Sequence, residues 1–163
     1  MTEKAVGKIP VAVIVILTFI FSIAAAFFVS LPSAKTIYED LSAETILPFY
    51  LSSQDASYDA GSGVYHVDGS DPSLVFSLEG RSFSVLELQT EKEGIPGDIP
   101  VSVYWTRNET EPFIGALSET AVIKKNGTGE AFIKLPSYPV YSLRVDIDGD
   151  VKITGLNGLS GNA

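Results

Sequence analysis

The 163-residue chain has no cysteine and only one histidine, one tryptophan and one methionine. Without cysteine there are no disulfides, no thiol nucleophile and no cysteine-ligated metal. The lone histidine, His66, excludes a three-histidine zinc site, and any Ser-His-Asp triad would have to use it. Basic residues are scarce: 11 Lys and Arg stand against 20 Asp and Glu, giving a net charge of −9, and no Lys/Arg cluster occurs. That balance argues against nucleic acid as a partner. It also repels anionic lipid headgroups, so a domain with this surface stands off a membrane. No motif names a reaction, and neither an enzyme nor a cofactor is expected.

What is present is a long apolar run. Ile9 to Leu31 carries no charge and is built from Ile, Val, Leu, Phe and Ala. At about 1.5 Å of rise per residue a helix of this length covers roughly 34 Å, enough for the roughly 30 Å hydrocarbon core of a bilayer. The sequence therefore predicts an N-terminal transmembrane helix over 9–31. Lys4 and Lys8 precede it, whereas Lys35 is soon followed by Glu39, Asp40 and Glu44. Positive charge is retained inside, so 1–8 is expected in the cytoplasm and the rest outside the cytoplasmic membrane, as a single-pass signal-anchor protein. The alternative is a cleaved signal peptide, with Ala24, Ala25 and Ala26 as its small residues. Against it, the run resumes with Phe27, Phe28 and Val29. Either way the domain is exported, and roughly 120 residues can bury an adequate core without disulfides.

Residues 32–46 read as a stalk opened by Pro32. Beyond it, short alternating apolar runs are punctuated by Gly, Pro, Asn and Asp every eight to twelve residues. This is the pattern of an all-β, jelly-roll-like antiparallel sandwich, expected over 47–156, with the Gly-rich segment 157–163 as a flexible tail. Strands are predicted at Pro48–Leu51, Gly63–Val67, Leu74–Leu78, Phe83–Gln89, Val101–Arg107, Thr120–Lys124, Glu130–Leu135, Tyr141–Ile147 and Val151–Leu156. Alternation places Tyr141, Leu143, Val145 and Ile147 on one face, with Ser142, Arg144 and Asp146 on the other. Val151 and Ile153 share the apolar face only if the connection is odd, as with Asp148-Gly149-Asp150. A hairpin pairing Ile147 with Val151 and Asp146 with Lys152 follows. Leu74, Phe76 and Leu78 should point inward. So should Val101, Val103 and Trp105, which leaves Tyr104 as the exposed aromatic; the alternative for Trp105 is a sugar-stacking platform.

Three pieces in order resemble a known module. Gly69-Ser70-Asp71-Pro72 leads into Leu74-Val75-Phe76; Val103-Tyr104-Trp105 is followed by the segment around Phe113; and Leu143-Arg144-Val145-Asp146 leads into Val151-Lys152-Ile153. Over residues 63–156 this is similar to the β-sandwich module found beside bacterial glycosyltransferases and other polysaccharide-assembly membrane proteins, whose fold resembles carbohydrate-binding-module jelly rolls. The module's pattern continues into a Pro- or Phe-containing turn where this chain has Ile147-Asp148-Gly149. The module also accompanies a large catalytic or multi-span region, and here there is one span. The resemblance implies an accessory or sensor with a glycan-facing role.

Candidate sites carry competing structural readings. Asp146, Asp148 and Asp150 alternate like the first ligands of a calcium loop, but Gly149 is at the fourth position and Asn157 at the twelfth, so a solvated tip is favoured. Glu87 and Glu130 would be the pair for glycosidase chemistry, which needs a defined carboxylate separation that the sequence does not supply, so solvent-facing carboxylates are the default. Asn108-Glu109-Thr110 and Asn126-Gly127-Thr128 fit the N-glycosylation pattern. Arg144 and Asp146, beside Tyr104, form the candidate ligand-binding set. A guanidinium fork and a carboxylate offer directional hydrogen bonds to sugar hydroxyls, and the ring offers an apolar plane. The competing reading is a surface charge ladder with Lys152 and Thr154.

The leading expectation is a membrane-anchored, non-catalytic accessory or glycan-binding module in envelope polysaccharide assembly. Its partners would be the membrane, a glycan, and a glycosyltransferase or other membrane protein met through the small-residue patch Ser22, Ala24, Ala25 and Ala26. The alternative is a pilin-like or filament-associated subunit, suggested by Gly7 after a short charged leader but opposed by Pro10 and the lack of a glutamate near the helix start.

Overall fold

The computed structural model describes residues 41–91 and 95–161. The predicted cytoplasmic segment, transmembrane helix and small-residue patch, and most of the predicted stalk, lie outside these residues. Among the described residues no helix is long and apolar enough to cross a membrane.

The described chain is all-β, two antiparallel sheets packed face to face. The strands are β1 (Ser42–Thr45), β2 (Tyr50–Gln54), β3 (Ala56–Asp59), β4 (Val64–Val67), β5 (Ser73–Arg81), β6 (Val85–Thr90), β7 (Ile99–Trp105), β8 (Ser118–Ile123), β9 (Glu130–Lys134), β10 (Val140–Ile147) and β11 (Val151–Ser160). One sheet is six-stranded, in the order β3-β4-β11-β6-β9, with β1 also paired to β11; the other is five-stranded, in the order β2-β5-β10-β7-β8. The chain changes sheet at every connection except β3–β4 and β7–β8. Alternation works as the sequence predicts in β5 and β7: Leu74, Phe76 and Leu78, and likewise Val101, Val103 and Trp105, all point into the shared core. Trp105 is core, and its indole N–H donates to the Tyr138 hydroxyl at 3.0 Å, giving the buried ring its polar partner.

The expected β10–β11 hairpin is not formed. β10 lies between β5 and β7, while Val151 and Lys152 of β11 pair with Tyr65 and Val64 of β4. Asp148-Gly149-Asp150 is a corner that carries the chain from one sheet to the other. Ile147 and Val151 are both buried, as parity requires, but against the core from opposite sheets. The predicted Asp146–Lys152 pair is therefore absent: Asp146 holds Arg144, and Lys152 holds Glu91 at 3.0 Å. The corner is tied across the sandwich by Tyr65, whose buried hydroxyl donates to the Ile147 carbonyl at 3.2 Å.

Four further expectations are corrected. The predicted stalk overlaps β1, whose four residues are exposed but pair through their backbones with Asn157–Ser160, after which Ile46 is fully buried. The strand predicted at Pro48–Leu51 is a 3-10 turn over Leu47–Phe49 followed by β2. The tail predicted from residue 157 is strand as far as Ser160, paired on both sides. Its glycine marks a close approach, not fraying: a Cβ on Gly158 would meet the Phe83 ring at 2.4 Å. Tyr141 leaves the inward row because β10 is irregular against β5 between Val140 and Ser142, and Val140 takes the core position.

Two substitutions separate core packing from the corner tie. Phe76→Ala should lower stability by about 3–5 kcal/mol through lost burial and the resulting cavity. Tyr65→Phe should cost about 1 kcal/mol, the net value of one buried hydrogen bond. Urea unfolding of both variants checks this, and an unchanged Tyr65→Phe midpoint would show that the tie does not hold the corner.

Candidate functional site

Parity places the odd-numbered residues of β7 and β10 that fill the core opposite a second, outward row. In that row Arg144 lies directly across from Tyr104, and Asp146 across from Ser102. Neighbouring strands extend it with Val75 and Ser77 from β5 and with Ser118 and Thr120 from β8. The outer face of the five-stranded sheet is thus rich in hydroxyls around one aromatic ring and one ion cluster.

The three residues named from sequence come together here. The Arg144 guanidinium carbon lies 5.6 Å from the Tyr104 ring centroid, within cation–π range. Arg144 Nε donates to Asp146 Oδ1 at 2.7 Å and Nη2 donates to Asp146 Oδ2 at 3.0 Å, a bidentate fork. Asp71, two residues before β5, is a fourth member that the strand alternation does not point to. Its Oδ1 also accepts from Arg144 Nη2, while its Oδ2 accepts from Gln54 Nε2 at 3.2 Å. The Asp71 backbone N–H is held by Asp55 Oδ2 at 3.2 Å. Asp55 occupies a left-handed conformation in the single-residue link between β2 and β3, which brings that carboxylate to the turn. These bonds use Arg144 Nε and Nη2 and leave Nη1 without a hydrogen-bond partner among the described residues.

A second cluster stands on the six-stranded sheet. His66 Nδ1 lies 2.8 Å from Asp150 Oδ2, and Asp150 Oδ1 accepts from the Val67 backbone N–H at 2.8 Å. Beside them is a pocket of about 300 Å³ whose buried lining is Tyr65, Ile95 and Val151 and whose exposed lining includes Glu91 and Lys152. His66 and Asp150 are each more than half exposed, so their pairing contributes little to stability.

The remaining sequence candidates do not join this cluster. Asp146 and Asp150 turn to different partners, Arg144 and the His66–Val67 segment. Glu87 and Glu130 lie on one face of neighbouring strands, diagonal across the β6–β9 register, and Glu87 accepts from Asn157 Nδ2 at 2.9 Å. Asn108 and Asn126 are both exposed in loops. Asn108 Oδ1 accepts from the Thr110 N–H and hydroxyl, each at 3.1 Å.

Electrostatics distinguish Asp146 from the other aspartates. Burial pushes its carboxyl above the usual value, and Arg144 pulls it back only in part. Asp59, Asp98, Glu111 and Asp150 sit below theirs because hydrogen bonds stabilise the charged form, led by those from Ser62, Lys124, Arg107 and the Val67 N–H respectively. The lowered groups stabilise the fold above about pH 4, and that contribution is lost on acidification. Asp146 acts in the opposite sense: its contribution is full below about pH 4 and is lost as pH rises through its raised value. Arg144→Ala removes the fork that restrains Asp146, so a carbon-13 NMR titration should move the Asp146 midpoint further upward. A midpoint that stays put or falls would mean that the fork does not persist in solution.

No family model matches the sequence, and no curated protein matches it. Among solved structures the chain is similar to CsCBM6-3 from Clostridium stercorarium, determined in complex with cellobiose; the two are 11% identical, the match covers 76% of this chain and 95% of that one, and the TM-score is 0.48.

Proposed function

We propose that this protein is a non-catalytic glycan-binding accessory module, anchored by the apolar segment 9–31 and presented outside the cytoplasmic membrane, where it positions a polysaccharide for envelope assembly enzymes. The observation that carries this reading is the convergence of Tyr104, Arg144 and Asp146 from adjacent strands onto one hydroxyl-rich sheet face. Sugar recognition needs an apolar plane together with directional donors and acceptors. Tyr104 supplies the ring, Arg144 Nη1 an unoccupied donor, and the Asp71 and Asp146 carboxylates further acceptor lone pairs.

The cluster suits recognition better than reaction. Arg144 is held by two carboxylates, and side chains fixed in this way present hydrogen bonds at little further entropic cost. The mechanism is positioning: the anchor confines the domain near membrane-bound glycosyltransferases, and the sheet face raises the local concentration of the glycan they extend.

Calorimetric titration of a fragment starting near Ser33 against envelope oligosaccharides tests the binding role. Saturable binding is expected, weakened at least about tenfold, or about 1.4 kcal/mol, in Tyr104→Ala and in Arg144→Ala. A well-folded fragment that binds none of them would overturn the glycan role. The anchoring role predicts that the full chain stays with membranes after carbonate extraction and that external protease removes its C-terminal domain; release by carbonate would remove the anchor.

A further inference from the structure

The charges on the candidate face do not balance. Of the five strands in that sheet, β2, β7 and β8 contain no Lys or Arg; β5 contributes Arg81 and β10 contributes Arg144. Arg81 sits at the end of β5, where it is paired with Glu44 and Glu79 and stacked on Phe49. Among the described residues, Arg144 is therefore the single cation in the middle of these strands, and it is engaged by both Asp146 and Asp71. One guanidinium against two carboxylates leaves a net negative charge beside Tyr104. The chain's net charge of −9 adds a background of the same sign.

We propose that this excess charge selects the ligand class: the face takes a neutral, hydroxyl-rich glycan and rejects uronate-bearing ones, and Asp71 is the residue that sets the preference. This rests on the glycan-binding reading above and specifies its substrate. Asp146 alone would neutralise Arg144 through the bidentate fork. Asp71 is the surplus carboxylate, more than half exposed and held in place by Gln54 and by its own N–H to Asp55. Neutral sugars meet it as hydroxyl donors to its free lone pairs, whereas a ligand carboxylate within about 6 Å meets like charge. At an effective dielectric between that of water and that of a protein surface, this discrimination amounts to roughly tenfold. Rejection of a competitor by like charge is a common route to specificity, and it leaves the favourable contacts to the accepted ligand in place.

The test uses the full chain in detergent and matched probes: uronate-containing envelope oligosaccharides and the same oligosaccharides after carboxyl reduction, which keeps the skeleton and removes the charge. The wild type should bind the reduced form roughly tenfold more tightly. Asp71→Asn, which keeps the side chain's shape, should cut that ratio to about threefold or less. Raising salt from about 0.01 M to about 0.15 M shortens the screening length from about 30 Å to about 8 Å, and should narrow the wild-type gap while moving the Asp71→Asn gap much less. A purely structural role for Asp71 would not produce this salt signature. Equal affinities for the two forms, tighter binding of the uronate, or a ratio unchanged in Asp71→Asn would each overturn the selection while leaving glycan binding in place. Binding of neither form by folded protein would overturn the glycan reading and the selection with it.

Discussion

The fold depends on burying Ile147 and Val151 with only three residues between them. Both are at or near full burial, yet one belongs to the central strand of the five-stranded sheet and the other to the long strand of the six-stranded sheet. A three-residue link can satisfy this only by turning a corner, so that the inward side of β10 becomes the inward side of β11 as the chain crosses the core. The Tyr65 hydroxyl on the Ile147 carbonyl and the Asp150 carboxylate on the Val67 N–H fix that corner to β4. Once it is made, β11 reaches Ser160 and gives β1, β4 and β6 a strand to pair with.

The candidate site follows from the same placement. Released from a hairpin with β11, β10 sits between β5 and β7, so its outward residues have neighbours on both sides. Arg144 thereby gains Tyr104 from β7 on one side and Asp71, beyond the start of β5, on the other. A partly buried guanidinium needs charged or hydrogen-bonding partners to offset its lost hydration, and the bidentate fork to Asp146 with the added Asp71 provides them. The cluster is at once a structural solution to a half-buried cation and the most chemically equipped part of the sheet face.

The legibility of the chain varied with the kind of signal each element carried. The inward rows of β5, β7 and β10 were readable because alternate residues pack against a core, although the irregularity at Val140 moved Tyr141 out of register. β1 was not readable, since Ser-Ala-Glu-Thr buries no side chain and joins the sheet through backbone pairing and polar side-chain contacts. The end of β11 was misread because its glycines look like a frayed tail, while one of them makes room for the Phe83 ring. Tyr104, Arg144 and Asp146 could be grouped because alternation within two strands puts them on the outward side. Asp71 could not, because its approach to Arg144 depends on the turn before β5 and on Asp55 and Gln54.

The sequence by itself determined the inward rows of β5 and β7, the all-β class, the acidic balance and the exclusion of cysteine and multi-histidine chemistry. These are properties of local period and composition, which need no knowledge of partners. Only the tertiary structure decided which strands pair, because a hairpin and a sheet-to-sheet corner impose the same inward parity on Ile147 and Val151. It also decided which charges meet, because Asp71 is brought to Arg144 by chain crossings that leave no trace in the spacing of either residue.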